Sequence, residues 1–354
     1  MHLRLSCPAP AVPMDRITLA HGGAGLASRQ LLETVFRPAF ATHARDLTHD
    51  GAVVHAAGAK LAFTTDSYVA RPLFFPGGTV GDLAVNGTVN DLAMCGARPL
   101  WLSAAFVLEE GLPMGDLRAI VTAMRDAAGE AGVTIVTGDT KVVERGKGDG
   151  MFITTAGVGI IEHTAAAPER VRPGDAVIVS GDLGSHGVAI MSVRDGLGID
   201  RVCDGAVDAS VKSDTAPLWP AVKAMYEAGV DVRCMRDLTR GGLASALNEI
   251  AATAWVSIDI DEVALETGTA VRAACELMDL DPLYLANEGR FVAFVAAADV
   301  PRALDALRTV GVSRGATFLG TVEKAHRGLV TLRSRTGGSR VVDLMAGDPL
   351  PKTR

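Results

Sequence analysis

Acidic and amide side chains recur at the ends of apolar segments, and these residue types suit a divalent cation with phosphate groups. Asp66 follows the apolar segment Lys60–Thr65, and Asp91 lies beside Asn90 in a predicted helix, Val80–Cys95. Mg²⁺ takes hard oxygen ligands, commonly one or two carboxylates together with substrate phosphates. We therefore expect a magnesium–phosphate site. A helix cap at Asp66 and a solvated helix face around Asn90 are the alternatives that the residues leave open.

Glycine-containing segments elsewhere carry groups that suit a nucleotide. The segment Gly138–Lys141 follows the predicted strand Val133–Thr137, and its lysine supplies a compact positive charge. Asp237 precedes a predicted helix at Gly242–Ala252, and helix N-termini attract anions. The segment His21–Gly25 is a flexible glycine loop that is able to fold over a ligand. Simple turns and hinges are the alternative interpretation of all three.

Glu288 ends a loop just before the predicted buried strand Phe291–Ala296, and its carboxylate is a candidate general acid or base. A turn residue is the alternative. The chain has no GxxxxGK[ST] phosphate loop, and Gly157-Val-Gly159 lacks the third glycine of a dinucleotide fingerprint. A nucleotide would therefore be held by another route.

The bulk composition narrows the functional classes. The 354 residues carry a net charge of −7 without a dense Lys/Arg block, which argues against a nucleic-acid partner. No apolar run approaches the roughly 20 residues of a membrane span. The first thirteen residues are too polar and proline-rich for a signal peptide. Five widely spaced cysteines without a CxxC pair favour reduced thiols in the cytoplasm.

Strand and helix patterns alternate along the chain, which predicts a mixed α/β fold. The charged, proline-bounded stretch Pro168–Asp175 is the expected domain boundary. We expect a tail or misassigned start over 1–13, an N-terminal domain over 14–167, a C-terminal α/β domain over 168–336 and a tail over 337–354. The predicted strands are Ala52–Ala57, Lys60–Thr65, Trp101–Glu109, Val133–Thr137, Phe152–Ile161, Ala176–Ser180, Val256–Ile260, Phe291–Ala296, Phe318–Val322 and Leu329–Arg333. The predicted helices are Arg29–Phe36, Val80–Cys95, Met114–Ala131, Ser185–Arg194, Asp214–Ala228, Gly242–Ala252 and Pro301–Val310.

The motifs form an ordered series that resembles a known family. Over positions 21–289 the chain reads HGGAG, TTDS, LFFPGG, GDLAVNGTVNDLAMCGARP, FVLEEGLP, GDTKVVERG, RDLTRGGLA and NEG. This series resembles the HypE family of nickel–iron hydrogenase maturation proteins. That family lies in the superfamily of aminoimidazole ribonucleotide (AIR) synthetase, selenophosphate synthetase and thiamine-monophosphate kinase. The match covers nearly the whole chain, and GTVNDLAM with GDTKVV is specific for HypE among these relatives.

The resemblance implies a two-domain AIR-synthetase-like fold in which the N-terminal sheets of a homodimer join into a barrel. It implies ATP under the glycine loop, with Lys141 facing the phosphates. Lys141 and Glu288 are then the candidate catalytic residues. The implied magnesium ligands are Asp50, Asp66, Asp91 and Asp237. The implied nucleotide contacts are Gly22, Gly23, Thr65, Asn90, Asp139, Thr140 and Lys141.

The resemblance also implies a reaction. In HypE proteins the last residue is a cysteine, which the carbamoyltransferase HypF loads with a carbamoyl group. ATP phosphorylates the amide oxygen, and loss of phosphate leaves a thiocyanate whose cyanide passes to iron on the HypC–HypD complex. An ATP-dependent carbamoyl dehydratase with these partners is therefore expected. Arg354 stands where the thiol belongs. Phosphorylation of a different oxygen-bearing acceptor and a non-catalytic scaffold are the alternatives.

Overall fold

The computed structural model of the chain describes residues 16–22, 25–40, 49–194, 211–325 and 328–344. Within these ranges, a five-stranded sheet and a seven-stranded sheet are each covered by helices, together with one two-stranded ribbon. The predicted mixed α/β fold class is confirmed. No helix in the described ranges is long and apolar enough to cross a membrane.

The strands are β1 (Ala52–Ala56), β2 (Ala59–Tyr68), β3 (Phe74–Phe75), β4 (Gly78–Thr79), β5 (Arg98–Glu109), β6 (Thr134–Val143), β7 (Met151–Ile160), β8 (Asp175–Val179), β9 (Val232–Asp237), β10 (Ser257–Asp261), β11 (Phe291–Ala296), β12 (Thr317–Glu323), β13 (Val330–Arg333) and β14 (Ser339–Val341). The α-helices are α1 (Leu26–Leu31), α2 (Arg37–Phe40), α3 (Val80–Met94), α4 (Met114–Ala131), α5 (Ser185–Arg194), α6 (Trp219–Glu227), α7 (Gly242–Ala254), α8 (Thr269–Met278) and α9 (Val300–Arg308). Short helical turns are Leu19–Gly22, Leu32–Phe36, Pro168–Arg170, Glu262–Ala264, Pro282–Tyr284, Ala297–Asp299 and Gly311–Ser313.

The first sheet has the strand order β1-β2-β7-β5-β6, and α3 packs on one of its faces. Helix α3 begins with a capping box in which the Thr79 hydroxyl accepts from the Gly81 and Asp82 amides, while the Asp82 carboxylate accepts from the Thr79 amide. This box satisfies amides that the first helical turn leaves without partners. Almost every residue of α3 is buried. The helix therefore forms the centre of this half of the molecule, and the polar groups on it are removed from water.

The second sheet has the order β14-β13-β10-β12-β8-β11-β9. Every residue of β8 is buried, and alternate side chains of a strand point to opposite faces. Val177 and Val179 pack into a core beneath α7, whereas Ala176 and Ile178 pack into a second core beneath α6 and α9. Because both faces are covered, the strand has no polar face, which explains its continuous apolar sequence.

Two predicted segments differ from the structure because sheet pairing overrides local turn signals. Residues 138–141 were expected after a strand, but β6 pairs with β5 as far as Val143. The glycine that suggested a turn meets a packing demand, since a Cβ on Gly138 would lie 2.2 Å from the Ala104 carbonyl oxygen. Asp66 likewise lies inside β2, which continues to Tyr68.

One predicted helix begins later than expected, and one helix was not predicted. The helix expected from Asp214 begins only at Trp219. The residues before it form no regular secondary structure, and the Leu218 amide donates to the side chain of Asn90. Helix α8 was not predicted at all. Its buried residues Val271, Ala274 and Cys275 have helical spacing, so the sequence did contain the signal.

The close packing of α3 on α4 leads to a prediction about Gly81. A Cβ on Gly81 would lie 2.5 Å from the Ile120 carbonyl oxygen, whereas a Cβ on Gly129 of α4 would have nothing within 4 Å. We expect Gly81→Ala to lower the free energy of unfolding by about 1–3 kcal/mol through overpacking. The matched Gly129→Ala should raise it by about 0.5–1 kcal/mol. Urea denaturation measures both, and equal effects would contradict the packing argument.

Candidate functional site

Three aspartates meet where the two sheets adjoin. Asp50, Asp91 and Asp237 each place one carboxylate oxygen so that the three atoms lie within 4.8 Å of one another. Asp50 precedes β1, Asp91 belongs to α3, and Asp237 ends β9. We refer to these three residues as the carboxylate cluster. Both sheets are needed to form it, because the first sheet and its helix supply two members and the second sheet supplies the third.

Hydroxyl groups hold the carboxylate cluster in place. The Thr64 hydroxyl lies 2.8 Å from Asp91 Oδ2 and 2.9 Å from the Asp50 carbonyl oxygen. The Thr239 hydroxyl lies 3.3 Å from Asp237 Oδ1. Thr64 is buried on the face of β2 that packs against α3. Sequence analysis did not single out either threonine, although Thr64 belongs to the TTDS motif.

The electrostatics of the carboxylate cluster favour a cation. Burial, followed by repulsion from Asp50, raises the pKa of Asp237 to about 8. Burial and repulsion from Asp237 raise the pKa of Asp91 well above its usual value. Burial also raises the pKa of Asp50 to about 6, against the opposing effect of Arg236. Like charges that share a buried site disfavour ionisation, and a bound cation would remove that penalty.

A hydrogen-bond deficit at Asp50 supports the same interpretation. Asp50 Oδ2 is buried and has no hydrogen-bond partner among the described residues. A buried polar atom without a partner is costly and commonly marks a position for an ion or water. The donor set consists only of carboxylate oxygens, which suits Mg²⁺ better than a thiophilic metal. The residues present therefore fit the magnesium ion that the family resemblance implies.

Asp66 borders the carboxylate cluster. It shares with Thr64 the face of β2 that packs against α3, and its charge raises the pKa values of Asp91 and Asp237 after the larger effects of burial and closer carboxylates. Its Oδ1 accepts from the Ser67 amide at 2.8 Å. The structure thus brings together Asp50, Asp91 and Asp237 and places Asp66 near them.

Glu288 lies next to a histidine that sequence analysis missed. The Nε2 atom of His186 lies 4.0 Å from Glu288 Oε1, and its Nδ1 lies 2.8 Å from the Ser213 hydroxyl. The Phe75 ring packs against the imidazole in a T-shaped arrangement, with the ring centroids 5.6 Å apart. Burial raises the pKa of Glu288 well above its usual range, with repulsion from Asp237 adding to it, and burial lowers the pKa of His186 to about 4. Burial therefore favours the neutral form of both groups.

Asn90 joins the two halves of the molecule. Its amide nitrogen donates to the Ala216 carbonyl at 3.0 Å and to the Glu288 carbonyl at 3.3 Å, and its amide oxygen accepts from the Leu218 amide at 2.8 Å. Both ends of this buried side chain are therefore occupied by main-chain groups. The arrangement positions the Glu288 loop beside α3.

Lys141 projects away from the carboxylate cluster of its own chain. Residues paired in a sheet share a face, and the register connects Asp66 to Gly138 through β7 and β5. Lys141 lies an odd number of residues from Gly138, so it points from the opposite face. Its side chain is 70% exposed and pairs with Asp139 at 2.6 Å.

The other expected nucleotide contacts also lie in different parts of the structure. Thr65 shares the face of Lys141, and its hydroxyl donates to the Thr155 carbonyl at 3.0 Å. Thr140 lies on the α3 side of the exposed edge strand β6. Gly22 is tied to the second half of the molecule, because Arg240 Nη1 donates to its carbonyl at 2.6 Å. Gly23 and Arg354 lie outside the described residues.

Two sequence families match adjoining parts of the chain. Residues 48–161 match the family described as AIR synthase related protein, N-terminal domain, and residues 172–333 match the corresponding C-terminal domain. These ranges contain the five-stranded sheet and nearly all of the seven-stranded sheet.

The individual relatives are more specific. The chain is 50% identical over 343 residues to the carbamoyl dehydratase HypE of Rhodobacter capsulatus, which covers 96% of this chain and 98% of that one. It is similar to a crystal structure of a HypE–HypF complex, with a TM-score of 0.81, 43% identity, and coverage of 89% of this chain and 99% of that one. It is also similar to HypE in complex with ATP, with a TM-score of 0.78, 42% identity, and coverage of 94% and 99%. The chain therefore belongs to the HypE family of AIR-synthase-related proteins.

Proposed function

We propose that this chain is an ATP-dependent carbamoyl dehydratase of hydrogenase maturation, which converts a carbamoyl group to a cyano group. The observation that carries the proposal is the carboxylate cluster beside Glu288, built jointly by two halves of a HypE-family fold. The cluster suits the magnesium ion of a nucleotide. Glu288 supplies a titratable group where an amide would have to lose protons.

Asp50, Asp91 and Asp237 would hold the magnesium ion, and Asp66 borders them. When bound, the ion neutralises the charge on the ATP phosphates and aligns the terminal phosphoryl group. The buried location strengthens this effect, because charges interact more strongly where water is excluded. Arg240, which donates to the Gly22 carbonyl, would hold Gly22 against the second half of the molecule.

The dehydration removes the carbamoyl oxygen as phosphate and both protons from the nitrogen. The oxygen leaves because transfer of the ATP γ-phosphoryl group makes it a good leaving group, and a carbon–nitrogen triple bond forms. Glu288 is suited to accept a proton, since a carboxylate with a raised pKa is a stronger base once ionised. A cation at the carboxylate cluster would favour the ionised form by offsetting the repulsion from Asp237. The imidazole of His186 lies beside Glu288, with its Nε2 atom 4.0 Å from Glu288 Oε1.

We propose a homodimer formed through the exposed face of the first sheet. Phe63 and Trp101 lie in one row of that face, joined through Val158, and they are 46% and 53% exposed. Exposed aromatic side chains on one face commonly mark an interaction surface. A barrel formed by two such sheets would bury both rings.

A HypF-like carbamoyltransferase and a HypC–HypD complex are the further partners we propose. The proposed cofactors are Mg²⁺ and ATP.

The proposed activity is tested by supplying a HypF-type carbamoyltransferase, carbamoyl phosphate, Mg²⁺ and ATP. A short peptide ending in S-carbamoyl cysteine is offered in parallel as an acceptor in trans. We expect ATP-dependent conversion of the thiocarbamate to a thiocyanate. Mass spectrometry of the chain and of the peptide detects this product. Asp91→Asn should slow this conversion by about 100-fold, equivalent to about 2.7 kcal/mol, because a magnesium ligand is lost.

Two variants control this experiment. Asp126→Asn changes an exposed carboxylate on α4, 62% accessible, and should leave turnover unchanged. Glu288→Gln should retain the binding of magnesium-ATP but lose thiocyanate formation. Thiocyanate formation without ATP, or equal rates for wild type and Asp91→Asn, would refute the proposal.

The raised pKa values predict how stability depends on pH. An unfolded aspartate has a pKa of about 3.9, whereas burial raises the pKa of Asp237 to about 8 in the fold. The folded state thus keeps a proton that the unfolded state releases, so this contribution is fully present at low pH and is lost as the pH rises toward 8. Without a metal, the melting temperature should fall between pH 5 and pH 8. The fall should be less steep in Asp237→Asn, because that variant releases about one proton fewer on unfolding.

Magnesium with a non-hydrolysable ATP analogue should reverse this trend. The ligand requires ionised carboxylates, so its stabilising effect should be larger at the upper end of the pH range. Thermal melting in a chelator and in magnesium with the analogue measures both effects. Parallel pH profiles for wild type and Asp237→Asn would contradict the assignment.

The opposite projection of Lys141 and Asp91 predicts that Lys141 acts on the nucleotide of the partner subunit. Lys141→Ala and Asp91→Asn should each be inactive alone, while mixed dimers should contain one intact site. Statistical mixing would restore about one quarter of wild-type turnover, because about half the dimers are mixed and each has one of two sites. Tandem purification of mixed dimers checks the composition. No recovery in verified mixed dimers would place Lys141 in the site of its own chain.

A further inference from the structure

We propose that Arg236 is a positioning residue that makes Asp50 a one-oxygen ligand and so favours Mg²⁺ over Ca²⁺. This inference rests on the proposed function, because it assumes that the carboxylate cluster holds the metal of ATP. The carboxylate cluster alone does not determine which hard cation it prefers. Arg236, immediately before Asp237 on β9, adds the missing constraint.

The geometry around Asp50 is asymmetric. Arg236 Nε pairs with Asp50 Oδ1, and Arg236 Nη2 pairs with Glu249 Oε2 at 2.6 Å. Asp50 Oδ2 is buried and has no hydrogen-bond partner among the described residues. One oxygen of the carboxylate is therefore engaged by the guanidinium. The other remains available to the carboxylate cluster.

Burial stabilises the pairing of Arg236 with only one oxygen of Asp50. The Asp50 side chain is only 5% exposed and that of Arg236 19% exposed, so water competes weakly for either group. A guanidinium stays charged at all accessible pH values, and its planar fork binds carboxylates in fixed directions. Glu249, on α7, holds the far side of the fork. Asp50 cannot turn both oxygens toward a metal without breaking the pair with Arg236.

The coordination preferences of the two cations differ in this respect. Ca²⁺ accepts about six to eight oxygens with frequent bidentate carboxylates, whereas Mg²⁺ requires a compact octahedron of about six with single-oxygen ligands. A carboxylate restricted to one oxygen therefore disfavours Ca²⁺ more than Mg²⁺.

The test compares cation affinities in three variants of the full chain. Mg²⁺ and Ca²⁺ are titrated calorimetrically in the presence of a non-hydrolysable ATP analogue. Arg236→Gln removes the charge and frees Asp50 Oδ1, and we expect the affinity ratio to move by about tenfold toward Ca²⁺, or about 1.4 kcal/mol. Glu249→Gln keeps the Arg236–Asp50 pair and should retain the wild-type ratio. Arg236→Lys keeps the charge but loses the fork, and it should shift the ratio in the same direction by a smaller amount.

The outcomes separate this inference from the proposed function. Wild-type chain that binds neither cation would overturn both. Wild type that binds Mg²⁺, with an unchanged ratio in Arg236→Gln, would overturn the role of Arg236 and leave the proposed function standing. If Arg236→Gln does not fold, as circular dichroism would reveal, the Arg236→Lys ratio decides, and a ratio equal to wild type would reject the inference.

Discussion

A carboxylate that leaves water must gain a compensating partner, and several such groups share the junction between the two sheets. Asp50, Asp91, Asp237 and Glu288 lie there with raised pKa values, so the junction is electrostatically unfavourable whenever these groups ionise. The surrounding residues reduce this cost through hydroxyl donors and one guanidinium. Helix α3, strand β9 and the loop before β11 carry these carboxylates and place them beside those partners.

The same desolvation that burdens the cation-free protein prepares it for phosphate chemistry. A cation held among buried carboxylates interacts strongly with phosphate oxygens, because little water screens it. Such a cation would also alter the balance of charge around Glu288 and thereby change how readily that residue accepts a proton. Under the proposed function, cation binding and proton transfer would therefore be linked through one electrostatic field.

The sequence predicted the fold class and most strand and helix positions because apolar periodicity was strong in the buried segments. It failed where tertiary pairing decides, as at Gly138, whose glycine permits a close approach to Ala104 rather than a turn. It nominated Asp50, Asp91 and Asp237 through family motifs, and the fold brings them together. It could not reveal His186, Thr64 or Arg236, because their importance depends on neighbours distant in the chain. Nor could it show that Lys141 and Asp66 project from opposite faces, since that depends on a register through three strands.

Asn90 and Asp91 are adjacent on α3, yet one fastens the two halves and the other serves the carboxylate cluster. Any tilt or slide of α3 relative to the second sheet would disturb both at once. Chimeras that exchange one half between relatives would therefore need a matching main-chain path at residues 216–218 to keep the carboxylate cluster together. The adjacency of these two residues therefore restricts recombination within the family. A change in one half at this contact requires a matching change in the other half.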